Sequence, residues 1–150
     1  MTRDEDALRM LAEVQAANAD LAERAKAPTW YHPMLGLLIG GLVAAQGLPV
    51  VGKIGAYLVF AAAIYLLVRA YKRHTGMWIN GYRAGRTRWV AVGLAAITTL
   101  CMLMAVWLDR ERGLTYAPLA FGAIVAVLVT IGGFVWEAAY RRDLRDGGSL

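Results

Sequence analysis

Four apolar blocks, separated by charged stretches, make up most of the chain after residue 30. They cover residues 31–48, 54–71, 89–108 and 116–136. A helix needs about 20 apolar residues to cross the hydrocarbon core of a bilayer, whereas barrel strands are about 10 residues long and alternate apolar with polar positions. The blocks are too long and too uniformly apolar for such strands. The pattern therefore predicts an all-α integral membrane protein, a four-helix bundle that crosses the membrane four times.

Residues 1–28 form a polar segment that precedes the first block. Within it, an apolar stripe advances in alternating steps of four and three residues, the spacing of one helix face. The stripe consists of Ala7, Leu11, Val14, Asn18, Leu21 and Ala25. We expect a cytoplasmic amphipathic helix that pairs with a helix of another chain, with Asn18 fixing the register, or lies against the membrane or the central loop of its own chain. The bundle then occupies residues 29–140, and residues 141–150 form a cytoplasmic tail.

The distribution of positive charge predicts the orientation in the membrane. Of the 16 Lys and Arg residues, all but Lys53, Arg110 and Arg112 lie in the N-terminal segment, around the loop between the second and third blocks, or in the tail. Cytoplasmic loops carry the excess of Lys and Arg, so both termini and the central loop should be cytoplasmic. The heavy use of Ala, Gly, Leu and Arg points to a bacterial plasma (inner) membrane. This topology accounts for the net charge of +5, and no nucleic-acid partner is expected.

Small residues four positions apart mark helix contacts in membranes, because helices associate there by close packing. One such ridge, in the first block, consists of Gly36, Gly40 and Ala44. A second, in the fourth block, consists of Gly122, Ala126 and Thr130, and a third consists of Ala91, Ala95 and Thr99. The ridges predict tight packing within one bundle. The alternative is a homo-oligomer contact through Gly36 and Gly40.

The centres of the four blocks carry no charged residue, although charges inside a membrane are the usual mark of transport or catalysis. At the inner boundary, Arg69 ends the second block and Glu137 ends the fourth, and we expect the two to form an ion pair. The chain has a single cysteine, Cys101, and lacks phosphate-loop, nucleophile-elbow and zinc-protease motifs. The sequence therefore argues against an enzyme and indicates no cofactor or metal.

The central loop between the second and third blocks mixes basic and aromatic residues. Its candidate binding residues are Lys72, Arg73, His74, Trp78, Tyr82, Arg83, Arg86 and Arg88. Each Lys or Arg near an anionic membrane surface contributes about 1 kcal/mol of attraction, and aromatic rings favour the headgroup region. The loop therefore serves as a topology signal and membrane anchor, binds a lipid headgroup or another phosphate-bearing ligand, or docks a protein partner.

Three functions are compatible with this sequence. The first, which the small-residue ridges and the N-terminal helix favour, is helix association as a homo-oligomer or as a subunit of a membrane complex. The second is a small transporter or channel, which would need a polar path. Its candidate residues are Gln46, Thr98, Thr99, Thr130 and Glu137. The third is binding of membrane lipids by their headgroups through residues 72–88.

Overall fold

The computed structural model describes residues 3–24, 26–75 and 86–145. These residues form five α-helices: α1 (Arg3–Arg24), α2 (Tyr31–Ala44), α3 (Val50–Thr75), α4 (Arg86–Arg112) and α5 (Ala117–Arg145). A 3₁₀ turn, Ala45–Gly47, extends α2. The predicted all-α class is confirmed, and the residues in these ranges include no strand.

Three helices are long and apolar enough to cross a membrane. They are residues Val50–His74 of α3, Arg88–Arg112 of α4 and Ala117–Arg142 of α5. The prediction of helices that are long and apolar enough to span a membrane is thereby confirmed for these three. The helix of the predicted first span is shorter, with 14 residues in α2 and three in the 3₁₀ turn, so its length alone does not establish a fourth span.

The link between α2 and α3 is short. Leu48 has an extended backbone, with φ −79° and ψ 157°, because a residue before proline is sterically disfavoured in the helical region. The helix α3 begins directly after Pro49, and the N–H of Lys53 donates to the carbonyl of Pro49 at 3.0 Å. Gly52 and Lys53 therefore lie in the first turn of α3 rather than in a loop.

The helices α2 and α5 run antiparallel and make the closest contact of the fold. A Cβ placed on Gly36 would overlap Thr130 and the carbonyl of Ala126, and one placed on Gly40 would overlap the carbonyl of Gly122. At the next turn, a Cβ on Gly122 would lie 2.8 Å from that of Ala44. The first and second predicted ridges thus face each other within one chain, so α5 occupies the Gly36/Gly40 surface that a homo-oligomer would need.

The hydrophobic core lies between α2, α4 and α5. Its buried members are Val43, Ala105, Val125 and Val129. Partly buried side chains of the same three helices pack around them: Leu35, Ile39, Leu94, Cys101, Met102 and Phe121. The predicted third ridge does not take part as a unit, because Ala95 and Thr99 are exposed. The helix α4 uses larger residues for this contact, and only Ala91 of that ridge is partly buried.

The helix α3 packs mainly against α2, and side-chain contacts are present at both ends of the pair. At one end, the rings of Tyr31 and Tyr71 have centroids 4.7 Å apart. At the other end, the amide of Gln46 donates to the hydroxyl of Tyr57 at 3.2 Å. We call the end with Tyr31 and Tyr71 the basic end, because the basic turn of α3 that includes Arg73 also lies there.

The outer faces of the long helices are apolar and exposed within the monomer. Leu58 of α3, Leu100 of α4 and Leu119 of α5 are 68%, 62% and 69% exposed. Soluble monomers rarely present such extended apolar surface to water. These faces therefore support a membrane environment for the bundle.

The N-terminal helix α1 contacts α5, but its first half is open to solvent. Leu11 and Val14, which belong to the predicted apolar stripe, are each 58% exposed. The side chains of Asn18 and Leu21, and Ala25 as a whole, lie outside the described residues. The helical prediction for this segment agrees with the structure.

Candidate functional site

A buried histidine and a glutamate meet at the basic end of the bundle. His32 is the second residue of α2, and Glu137 lies near the end of α5. The antiparallel contact of α2 with α5 places Gly36 beside Thr130. His32 lies one helical turn before Gly36 on α2, and Glu137 lies about two turns after Thr130 on α5. The antiparallel packing therefore brings the two side chains together.

The two side chains form a short polar contact between α2 and α5. His32 Nε2 and Glu137 Oε2 are 2.8 Å apart, and the two side chains are only 5% and 12% exposed. The other carboxylate oxygen, Oε1, accepts the backbone N–H of Ala27 at 3.2 Å. Glu137 therefore joins α5 both to the start of α2 and to the segment that precedes it.

Two consecutive glycines of α5 make room for this arrangement. A Cβ on Gly133 would overlap the imidazole of His32, and one on Gly132 would lie 3.0 Å from the methyl groups of Leu94. The ring of His32 also packs against Phe134, with centroids 4.8 Å apart and the planes at 66°. Gly133 thus lets the imidazole lie directly against the backbone of α5.

A cleft of about 220 Å³ opens beside the pair. Side chains from α2, α3, α4 and α5 line it, together with Ala27. Most of the wall is apolar, and the polar groups are confined to a few residues. The lining residues include Tyr31, His32, Tyr71, Ala91, Trp136 and Glu137.

Within the part of the chain that the structure describes, Nδ1 of His32 and Nε1 of Trp136 are buried without a hydrogen-bond partner. The Trp136 ring stacks on that of Tyr140, with centroids 5.3 Å apart and planes at 5°, so its orientation is fixed by packing. A buried N–H without an acceptor costs about 1–3 kcal/mol, which makes Trp136 an unfilled donor at the wall of the cleft.

The structure gives Glu137 a different partner from the predicted Arg69. Arg69 is exposed and lines a groove on the outer side of α3 with Trp30, Arg73 and His74. The pairing was predicted from equal depth along two helices, but depth does not specify which faces meet. The pairing of the first two small-residue ridges places the start of α2 against the Gly132–Gly133 turn that precedes Glu137, but the sequence does not specify that pairing.

The candidate loop residues are only partly within the described structure. Lys72, Arg73, His74 and Arg88 are exposed at the basic end. Arg86 is the first residue of α4, and its side chain lies outside the described part. Trp78, Tyr82 and Arg83 also lie outside it. The structure therefore brings Arg69, Arg73 and His74 together and leaves the rest of this prediction untested.

The polar residues proposed for a transport path do not share a surface. Gln46 donates to the carbonyl of Leu42 and to Tyr57 at the far end. The hydroxyls of Thr99 and Thr130 donate to Ala95 and Ala126, one turn earlier in their own helices. Glu137 lines the cleft, and the other four candidates do not.

Comparisons with protein-family models, with curated proteins and with solved structures gave no match for this chain. Within the described ranges, no group of three or more His, Cys, Asp or Glu side chains could hold a metal ion. The features that define the chemistry of the site are the cleft, the His32–Glu137 contact and the exposed surfaces.

Proposed function

We propose that this chain is a small integral membrane protein that crosses the bilayer four times and acts by helix association. Both termini and the central loop would be cytoplasmic, in a bacterial plasma membrane. The helix α2 and its 3₁₀ extension, with 14 and three residues, rise together about 27 Å. This length approaches the ~30 Å thickness of the hydrocarbon core. The helix α2 also packs closely along α5, which is itself long and apolar enough to span a membrane.

The observation that carries the association function is the exposed apolar stripe of α1. Leu11 and Val14 lie one turn apart on this stripe and are each 58% exposed. The helix belongs to the polar N-terminal segment, so lipid acyl chains would not cover the stripe in the way they cover α3 and α4. An apolar helix face in water is stabilised when another surface buries it.

Charge favours a protein as the covering surface. The helix α1 contains six acidic and three basic residues, RDEDALRMLAEVQAANADLAER. The cytoplasmic leaflet carries a negative surface potential, which attracts basic segments and disfavours acidic ones. We therefore propose a second copy of α1, or a helix of a partner subunit, as its binding partner. The Gly36/Gly40 ridge is not proposed for this role, because α5 already packs on it.

The test compares two double substitutions on opposite faces of α1. Leu11→Gln with Val14→Gln removes the apolar stripe, and Ala12→Gln with Ala16→Gln introduces the same residue on the other face. Native mass spectrometry in mild detergent should show the wild-type chain and the control in a complex, and the stripe variant as a monomer. A wild-type monomer without any bound protein would refute the proposal.

A second candidate function is lipid-headgroup binding, which the groove on α3 favours. Arg69 and Arg73 lie one turn apart and line it together with Trp30. Two guanidinium groups beside an indole suit the phosphate of an anionic lipid, since arginine recognises phosphate through paired hydrogen bonds. Phosphorus analysis of co-purified lipid should fall in Arg69→Gln with Arg73→Gln, and should stay unchanged in Arg110→Gln with Arg112→Gln, which removes equal charge elsewhere.

A further inference from the structure

The cleft at the basic end is large enough for a small organic molecule. Its volume is about 220 Å³, whereas a single water takes up about 30 Å³ and an apolar cavity of about 150 Å³ can bind benzene. Residues of all four helices of the bundle line it. The space therefore fits one six-membered ring with a compact substituent.

The wall of the cleft is divided between apolar and polar groups. Leu35, Val90, Leu94 and Val129 form an apolar surface, and His32, Trp136 and Glu137 supply polar atoms. A ligand that matches both parts has an apolar body and one polar head. Binding pockets for small molecules commonly combine these two features.

The hydrogen bonds around Glu137 indicate the charge of that head. An ionised carboxylate is purely an acceptor, and Glu137 accepts from the backbone of Ala27 and faces Nε2 of His32. A neutral imidazole with its proton on Nε2 can donate to the carboxylate and leaves Nδ1 without an N–H. Both carboxylate oxygens of Glu137 are therefore placed to accept hydrogen bonds, and a positively charged head is the complement of such an acceptor.

The remaining lining residues suit a positive charge. No Lys or Arg among the described residues lines the cleft, whereas the carboxyl group of Glu137 does. The aromatic rings of Tyr31, Tyr71 and Trp136 form part of the wall. The faces of such rings attract a cation electrostatically, and the attraction is stronger when water is excluded.

We propose that this cleft binds an organic cation with an apolar body, such as an aromatic quaternary ammonium, whose charged head lies between Glu137 and the aromatic rings. This site is separate from the association surface on α1. The proposal stands or fails independently of the proposed function, because neither Leu11 nor Val14 contributes to the cleft.

The test uses two probes of the same shape and different charge. Benzyltrimethylammonium carries a quaternary nitrogen, and neopentylbenzene replaces that nitrogen with carbon. The chain contains two histidines, so ¹³C-labelled histidine gives one resonance for His32 in the cleft and one for the exposed His74. The protein is titrated in nanodiscs, and assignment follows from His74→Gln.

The cation should shift the His32 resonance saturably, with a half-saturation concentration about tenfold below that of the neutral probe, and should leave His74 unchanged. Equal or weaker binding of the cation in the wild-type protein would overturn the proposal. So would a shift of His74 alone. This comparison requires no substitution and therefore does not depend on whether a variant folds.

Variants locate the site. Glu137→Gln should remove the preference for the cation, and Ala91→Leu, which fills the cleft and leaves Glu137 in place, should abolish the His32 shift for both probes. Ala96→Leu is the matched control, because Ala96 is exposed on the same helix and does not line the cleft. If Ala91→Leu bound the cation as the wild type does, the cleft would not be the binding site.

Discussion

The carbonyl oxygen of Gly40 lies 2.6 Å from the point that a Cβ would occupy on Gly122, and the carbonyl of Gly122 blocks a Cβ on Gly40 in the same way. The backbones of α2 and α5 are therefore in direct contact at this level. Lipid provides little hydrophobic drive for helix association, so close packing of this kind has to hold membrane helices together. The contact is the centre of the interface on which the site at the basic end depends.

Substitution of two neighbouring glycines tests this contact. Gly40→Ala should lower the free energy of unfolding by about 1–3 kcal/mol, because the added methyl group forces the helices apart. Gly41→Ala should stay within about 1 kcal/mol of wild type, since nothing lies within 4 Å of a Cβ at Gly41 and alanine favours the helix. The measurement is helix loss followed by circular dichroism during titration with dodecyl sulfate. Equal effects of the two substitutions would contradict the packing.

The pairing of these ridges shows what the sequence specifies. Small residues spaced four positions apart identified both faces, because close helix contacts require small side chains at intervals of one turn. The spacing did not specify the partner of each ridge, and Ala95 and Thr99 have the same pattern but lie exposed. On α4, Leu94, Cys101 and Met102 pack against the core, and the face that carries Ala95 and Thr99 is therefore exposed.

The contact between His32 and Glu137 should stabilise the bundle. His32→Ala removes one of the two partners of a largely buried carboxylate, and we expect a loss of about 1–3 kcal/mol. His74→Ala, at the exposed histidine, should change the free energy of unfolding by less than about 0.5 kcal/mol. Both values are measured by the same dodecyl sulfate titration.

A double-mutant cycle separates the contact from its surroundings. If the two groups interact directly, His32→Ala and Glu137→Gln should show a coupling energy of about 0.5–3 kcal/mol. Strictly additive effects would mean that each side chain acts through other neighbours. In the sequence, His32 stands at the start of the first apolar block and Glu137 directly after the fourth, but the pairing of the two follows from the rotation of α2 against α5, which the sequence does not specify.

The anchoring of α3 to α2 depends on Tyr71. It is 6% exposed and contacts Tyr31, whereas Tyr65 on the same helix is 61% exposed. Tyr71→Ala should cost about 1–3 kcal/mol, less than in a soluble core because lipid solvates the exposed surface. Tyr65→Ala should be nearly neutral, and hydrogen exchange along α3 should rise in the Tyr71 variant alone. An unchanged exchange rate would argue that α3 is held elsewhere.

Whether α2 crosses the membrane, and so adds a fourth span to those of α3, α4 and α5, is tested most directly at its two ends. In a chain with Cys101→Ser, single cysteines at Lys26 and Val51 report on the segments before and after this helix, and Val51 is 82% exposed. If α2 and its 3₁₀ turn cross the bilayer, a membrane-impermeant maleimide applied to spheroplasts should label Val51→Cys and spare Lys26→Cys until the membrane is opened. A third cysteine at His74 should behave as Lys26→Cys, because α3 returns the chain to the first side. Labelling of the Lys26 and Val51 positions from the same side would show that α2 lies in or on the membrane without crossing it, and would reduce the number of spans to three.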